Sequence, residues 1–155
     1  MGITSRAACA LTGAAALALT GAGTAAAAED IPVHQVPATG TAVSGLAVPG
    51  PWTAALRVMS TDTPGEVELS VPVTPEICAT TAGNALVRVD YANPGQTHGA
   101  AFLNPCGHAV DPAPVTAVVR TESGFTHFTT TIIGSQAYPN AGLPATMGTG
   151  SFVTP

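Results

Sequence analysis

Proline and glycine interrupt this chain so often that little of it can form a long helix. Its 155 residues include 14 Pro and 17 Gly. From Ala42 onward, short apolar stretches are separated by Pro, Gly, Asn or Asp about every eight to twelve residues, a spacing typical of β-sandwiches and barrels. After residue 28, no window sustains the apolar period of about 3.6 residues that a helix requires. The sequence therefore predicts an all-β fold.

Alternation of apolar and polar residues predicts the individual strands. The clearest is Glu66–Val73, where aliphatic side chains point to one face while Glu66 and Glu68 point to the other. Pro72 has no amide donor, so this strand is expected to lie at a sheet edge or to end there. The other predicted strands are Ala42–Val48, Trp52–Ser60, Glu76–Thr80, Ala85–Ala92, Thr97–Leu103, Pro114–Thr121, Phe125–Ile133 and Gly150–Thr154.

Nine short strands joined by turns resemble, in general plan, an immunoglobulin-like antiparallel β-sandwich. The turns Ala82–Asn84 and Asn93–Gln96 carry residues that favour antiparallel neighbours. Trp52, the single Trp, precedes both Cys78 and Cys106, whereas in immunoglobulin domains a Trp lies between the two cysteines. The resemblance implies a fold but no function, and Trp52 is expected to anchor the core.

The amino terminus is typical of a secretory signal peptide. Arg6 is followed by an apolar run and then by small residues up to Ala28, the order that export and cleavage require. The alternatives are a retained membrane anchor and lipidation at Cys9. We expect residues 1–28 to be the signal peptide, 29–41 an extended segment that packs loosely, and 42–155 a single β-sandwich domain.

Charge and composition restrict the partners. Cleavage after residue 28 would remove Arg6 and leave three Arg against nine acidic residues, a formal net charge of −6, with no Lys in the sequence. Nucleic acid and anionic membranes are therefore disfavoured as partners. The absence of Lys beside abundant Ala, Gly, Pro, Thr and Val is typical of exported proteins of high-GC bacteria. We expect a secreted or cell-envelope protein with no transmembrane segment after cleavage.

Two cysteines follow the signal peptide, Cys78 and Cys106. An even number of cysteines in an oxidising compartment predicts a disulfide, with two free buried thiols as the alternative. Strands two apart in one sheet lie about 9.5 Å apart, too far for a direct bridge. The bond is therefore expected to tie a strand to a loop or to join two sheets.

Motifs that would indicate an enzyme are missing from the sequence. Neither a Gly-x-Ser-x-Gly nucleophile elbow nor a phosphate-binding loop with Lys occurs. Glu66 and Glu68 have the alternation of a solvated strand face rather than of a catalytic pair. A metal site is the sharpest chemical alternative, and its candidate ligands are His98, Cys106, His108 and His127.

Two loops suggest binding. The segment Gly134–Gly148 is long for a compact β domain and carries Tyr138, Asn140, Leu143 and Met147, and long loops are often functional. The sequence favours an ordinary crossover or a loosely packed tail for this segment, and binding is the alternative hypothesis. We expect a non-enzymatic module without cofactor or metal that binds a protein or glycan. The alternatives are a His-based metal protein and an extracellular protease inhibitor that inserts the loop Asn104–Pro114.

Overall fold

A computed structural model describes residues 28–95, 97–108 and 111–155. Most of the predicted signal peptide, including Cys9, lies outside these residues. The described part contains one α-helix, α1 (Pro75–Cys78), and a single 3-10 turn, Thr81–Asn84. Its strands are β1 (Asp30–Ile31), β2 (His34–Val36), β3 (Ala38–Val43), β4 (Pro49–Ala54), β5 (Arg57–Ser60), β6 (Glu66–Ser70), β7 (Ala85–Ala92), β8 (His98–Leu103), β9 (Thr116–Arg120), β10 (Gly124–Gly134) and β11 (Gly148–Thr154).

The strands form three antiparallel sheets. The strand order is β1-β5-β6-β9 in a four-stranded sheet, β2-β11-β10-β7-β8 in a five-stranded sheet and β3-β4 in a two-stranded sheet. One cluster of buried apolar side chains draws on all three sheets. The prediction of a nearly all-β, antiparallel fold is confirmed, and the arrangement is consistent with an all-β sandwich.

Strand β10 shows how alternation builds these layers. Phe128 and Ile132 are buried on its inner face, together with Thr126 and Thr130. The Phe128 ring lies 6.0 Å from that of Phe152 on β11, measured between centroids. Residues between these positions are exposed or half-buried on the outer face. A single strand thus supplies both the core and one outer surface of the molecule.

The predicted strand Trp52–Ser60 is divided into β4 and β5. Its inward pattern holds, because Trp52 is 3 % exposed and Leu56 is 2 % exposed. At the break, the Gln35 side chain accepts a hydrogen bond from the Leu56 amide at 2.9 Å and donates one to the Leu56 carbonyl at 2.8 Å. A side-chain amide therefore replaces a neighbouring strand where the chain passes between two sheets.

Two predicted strands are wrong. Glu76–Thr80 begins within helix α1, because Pro75 occupies the first turn and Thr74 the N-cap position, a start signal that favours a helix. In place of Ala42–Val48, β3 ends at Val43, and the hairpin to β4 is closed by hydrogen bonds from the Ser44 amide to the Val48 carbonyl and from the Ala47 amide to the Ser44 carbonyl. Strand β6 ends at Ser70, before Pro72, so the expected end of the strand is confirmed, whereas the other expectation, an edge position, is wrong because β6 lies between β5 and β9.

The expectation that residues 29–41 pack loosely is also wrong. The segment contains β1 and β2 and begins β3, which pair with β5, β11 and β4 respectively. Ile31 and Ala38 are buried. Pro32 and Pro37 lie between successive strands and do not indicate an unpaired segment. The described residues contain no helix that is both long and apolar enough to span a membrane.

Candidate functional site

The two cysteines lie where helix α1 meets the turn after β8. Cys78 and Cys106 are at disulfide distance, with their Cα atoms 5.5 Å apart. The pairing agrees with the sequence prediction, but the bridge ties a helix to a loop rather than a strand to a loop. The His108 ring lies beside it, with Nε2 3.4 Å from the Cys78 carbonyl oxygen.

The four candidate ligands of the alternative metal hypothesis do not come together. Cys106 is occupied by its pairing with Cys78, and His108 lies beside that bridge. His98 and His127 instead occupy the outer face of the five-stranded sheet. In the described ranges, no group of three or more His, Cys, Asp or Glu side chains is placed to hold a metal ion. His98 and His108 are close in sequence but not in space, because His98 begins strand β8 whereas His108 lies in the loop after the end of that strand.

Topology creates a row of imidazoles that the sequence does not reveal. His127 pairs with Ala92 and Ser151, which in turn pair with His98 and His34. Directly paired residues share a face. Three histidines that are remote in sequence therefore lie in one row across this sheet, separated by small residues.

Glu66 and Glu68 share the outer face of the four-stranded sheet, as alternation predicts. Glu66 pairs with Arg120 of β9, and Glu68 pairs with Met59 of β5 and Val118 of β9. Neither carboxylate lines a groove with the other candidate residues. Their position fits a solvated strand face better than a catalytic pair.

The loop after β10 forms one wall of a groove, here called the Tyr138 groove. Its volume is about 750 Å³. The opposite wall comes from the end of β3, the turn after it, and the 3-10 turn. The groove is lined by Val43, Ser44, Gly45, Ala79, Thr80, Thr81, Asn84, Ala137, Tyr138, Pro139, Asn140, Ala141 and Leu143.

Local hydrogen bonds hold the loop wall in shape. The Tyr138 amide donates to the Ser135 carbonyl at 3.1 Å, and the Leu143 amide donates to the Asn140 carbonyl at 3.1 Å. The loop is fixed to β3 by a hydrogen bond from the Thr41 amide to the Gly142 carbonyl at 2.9 Å. These bonds make the loop a supported wall of the groove.

Glycine is required where this loop returns over its own start. A Cβ at Gly134 would lie 2.1 Å from the Pro139 carbonyl oxygen, a distance that no side chain can accept. Close backbone approach of this kind is one reason for glycine in a loop. Tyr138, Pro139 and Asn140, which lie in this returning part of the loop, all line the groove.

The opposite wall includes three hydroxyl-bearing residues, Ser44, Thr80 and Thr81. Thr81 Oγ1 accepts a hydrogen bond from the Val43 amide at 3.0 Å, which joins the 3-10 turn to β3. Thr80 Oγ1 accepts one from the Ala82 amide at 3.2 Å and so caps that turn. These two hydroxyls position the wall, and Asn84 lies at its end.

The groove surface is more apolar than polar, with hydroxyls and two side-chain amides among the apolar groups, and no charged side chain occurs among its described lining residues. Tyr138 is 51 % exposed and Leu143 is 40 % exposed. The amides of Asn84 and Asn140 each offer donors and an acceptor. An aromatic ring, an aliphatic side chain and two amides suit an uncharged ligand with both apolar and hydroxyl-bearing faces.

Groups with a shifted pKa lie outside the groove. The hydrogen bond to Asp30 raises the pKa of Arg57, and a hydrogen bond from Thr74 lowers the pKa of Glu76. Burial raises the pKa of Tyr91. Since none of these residues lines the groove, the shifts give no reason to assign acid–base chemistry to it.

Sequence reasoning identified the loop wall but missed its partner. The loop that carries Tyr138, Asn140 and Leu143 has a sequence signal that raises a binding hypothesis beside the favoured ordinary crossover, whereas Asn84 and the Ser44–Gly45 turn carry no sequence signal for binding. Comparison with protein-family models, with curated proteins and with solved structures finds no match to this chain.

Proposed function

We propose that this chain is an exported, non-enzymatic binding module that takes a neutral glycan in the Tyr138 groove. The observation that carries the proposal is the uncharged lining around a half-exposed aromatic ring. A protein segment is the other ligand class that sequence analysis suggests. A sugar fits the lining better, because one pyranose face is apolar and its rim is rich in hydroxyls.

Each groove residue has a defined task in this proposal. Tyr138 offers its ring to the apolar face of a sugar, and Leu143 extends that apolar surface. The Asn84 and Asn140 amides donate to and accept from sugar hydroxyls. The lack of charge favours a neutral glycan over uronic acids or phosphorylated polymers, since these would need cationic partners.

Direct binding measurements test the ligand class. Isothermal titration with neutral oligosaccharides of glucose, mannose, galactose, xylose and N-acetylglucosamine should find at least one ligand. Tyr138→Ala should weaken its binding about tenfold, or ~1.4 kcal/mol, and Asn140→Ala should also weaken it. Phe125→Ala is the matched control, because Phe125 is an aromatic residue 45 % exposed on β10, outside the groove lining. Binding of peptides alone, or equal binding by Tyr138→Ala, would contradict the proposal.

Export is a separate part of the proposal. It is supported by the apolar run and small residues that precede Glu29. Intact mass measurement of the protein recovered outside the cytoplasm should give a chain that starts at Glu29. Recovery of the full-length chain from the cytoplasm alone would overturn this part without affecting the groove.

Protease inhibition is a second candidate, favoured by the loop that follows β8. The Asn104 amide donates to the Pro114 carbonyl at 2.8 Å, which closes the base of the loop, and Cys106 tethers its start. A restrained loop can bind a protease with little loss of entropy. A panel of extracellular proteases tests this candidate, and uniform lack of inhibition would remove it.

A further inference from the structure

Most sheet edges of the described chain carry features that discourage pairing with another molecule. Strand β1 has two residues and β2 has three. Strand β4 contains two prolines, β9 contains Arg120, and β3 is covered by the bridge between Thr39 and Thr146. Short strands, proline, charge and coverage are the means by which proteins protect an edge.

Strand β8 is the exception, and its six residues His98–Leu103 are here called the β8 edge. It borders the five-stranded sheet and pairs with β7 on one side. Its sequence contains neither proline nor a formally charged residue. The backbone hydrogen bonds found outside the strand ladders of the described residues do not involve this strand. The backbone donors and acceptors of β8 that face away from β7 therefore have no backbone hydrogen-bond partner among the described residues.

Side chains on this edge also permit close approach. Gly99, Ala100 and Ala101 are small, and Ala100 is exposed on the outer face. Phe102 is 46 % exposed on the same face, and its ring centroid lies 5.8 Å from the Arg88 guanidinium carbon. An uncharged edge with one large apolar side chain is suited to strand addition.

We propose that the β8 edge pairs with the β8 edge of a second copy of this chain, antiparallel and around a two-fold axis. Two identical antiparallel strands keep their buried and exposed faces aligned only if the axis passes through a residue rather than between two residues. Ala100 and Ala101 are the central choices. In either case, the pairing supplies about four to six backbone hydrogen bonds.

Side-chain complementarity selects Ala100 as the central residue. Phe102 then lies opposite His98 of the second copy, twice by symmetry, and Ala100 lies opposite Ala100 of the second copy. Phenylalanine and histidine rings already meet in this chain within strand β10, where Phe125 and His127 lie edge to face with centroids 4.5 Å apart. An axis through Ala101 would instead place Phe102 opposite an alanine and lose both aromatic contacts.

Charge does not oppose this pairing, although the whole chain has a net charge of −5. On the adjacent strand, Arg88 and Asp90 form an ion pair with an N···O distance of 2.6 Å. The two Asp90 side chains of the dimer would be three strand spacings, about 14 Å, apart, beyond the screening length of about 8 Å at physiological salt. The β8 edge is thus a neutral strip through which two acidic molecules can associate.

The Tyr138 groove does not take part in this pairing, because its lining includes no β8 residue among those described. The dimer would join the five-stranded sheets of the two copies into one sheet, and each copy would contribute one groove. Two linked sites bind a repetitive ligand more tightly than one does. The pairing itself stands independently of the proposed glycan function.

Sedimentation equilibrium from about 10 µM to about 1 mM, a range suited to a small interface, tests the proposal. The wild-type chain should form a dimer within this range. Ala100→Lys and Ala100→Glu should each be monomeric, since like charges would meet at the axis. An equimolar mixture of the two variants should form a heterodimer, which shows that both remain folded. Val36→Lys is the control, because it adds the same charge to the outer face of β2 at the opposite edge, and it should dimerise like wild type.

The remaining outcomes overturn the proposal. A wild-type chain that stays monomeric throughout the range has no pairing at this edge. A dimer that Ala100→Lys leaves unchanged uses a different surface. If the two charged variants stay monomeric when mixed, the register centred on Ala100 is wrong.

Discussion

Removing the Cys78–Cys106 pair tests the link between chain entropy and stability in this fold. The cysteines are 28 positions apart and close a 29-residue loop. In the chain-entropy model such a loop contributes about 3.6 kcal/mol at 25 °C. A small domain has a total stability of about 5 to 15 kcal/mol. The double variant Cys78→Ala/Cys106→Ala should therefore fold with a free energy of unfolding roughly 3 to 4 kcal/mol below wild type.

Urea titration followed by the fluorescence of Trp52, the single Trp, provides the measurement. Both cysteines are only half-buried, so truncation to alanine removes little packing. With a denaturant slope of about 1 to 3 kcal/mol per molar, the midpoint should fall by about 1 to 4 M. Wild type treated with a reducing agent is the matched control and should lose the same free energy. If the double variant is as stable as oxidised wild type, the loop-closure reasoning is refuted.

Three further results are expected. Gly142→Ala should lower the free energy of unfolding by about 2 to 4 kcal/mol in urea titration, because Gly142 has a φ of +76° and a Cβ there would lie 2.9 Å from the Ala85 Cβ; unchanged stability would contradict it. Burial raises the pKa of Tyr91, so wild type should lose stability as the pH rises above about 10, and Tyr91→Phe should lose less over the same range. Asp90→Asn should change stability by less than about 0.5 kcal/mol, since its pair with Arg88 is exposed; a larger loss by thermal unfolding would show that the pair matters.

Alternation of apolar and polar residues predicted most closely those strands that run without a break. Predicted and observed bounds agree for β7 (Ala85–Ala92) and lie within two residues for β8, β9, β10 and β11. The break at Leu56 could not be predicted in this way, because its partner Gln35 is 21 positions away. Helix α1 was predictable in principle, since Thr74-Pro75-Glu76 is a helix start, but the short apolar run that follows favoured a strand.

The groove could be predicted only in part, because its two walls are remote in sequence. A long loop with Tyr138 and Asn140 is visible as a sequence feature. The wall that faces it depends on a hydrogen bond between Val43 and Thr81, 38 positions apart. The metal hypothesis is wrong because residues close in sequence can lie far apart in the fold. His98 and His108 are ten positions apart but belong to different surfaces. Both the position of the groove walls and the separation of the histidines depend on sheet order, which no local sequence pattern encodes.

The two proposed binding surfaces lack formal charge although both main sheets carry an ion pair, and this leads to a last prediction. The outer face of the four-stranded sheet carries the ion pair of Arg57 and Asp30 and the cross-strand pair of Glu66 and Arg120. The proposed binding surfaces, the Tyr138 groove and the β8 edge, carry no formal charge.

Raising sodium chloride from about 0.05 M to about 0.5 M shortens electrostatic screening from roughly 14 Å to roughly 4 Å. Sugar binding and dimer formation through uncharged surfaces should therefore change less than about twofold over this range, as measured by titration and sedimentation. A strong loss of either at high salt would place the interaction on charged residues, for which the outer face of the four-stranded sheet is the surface to examine next.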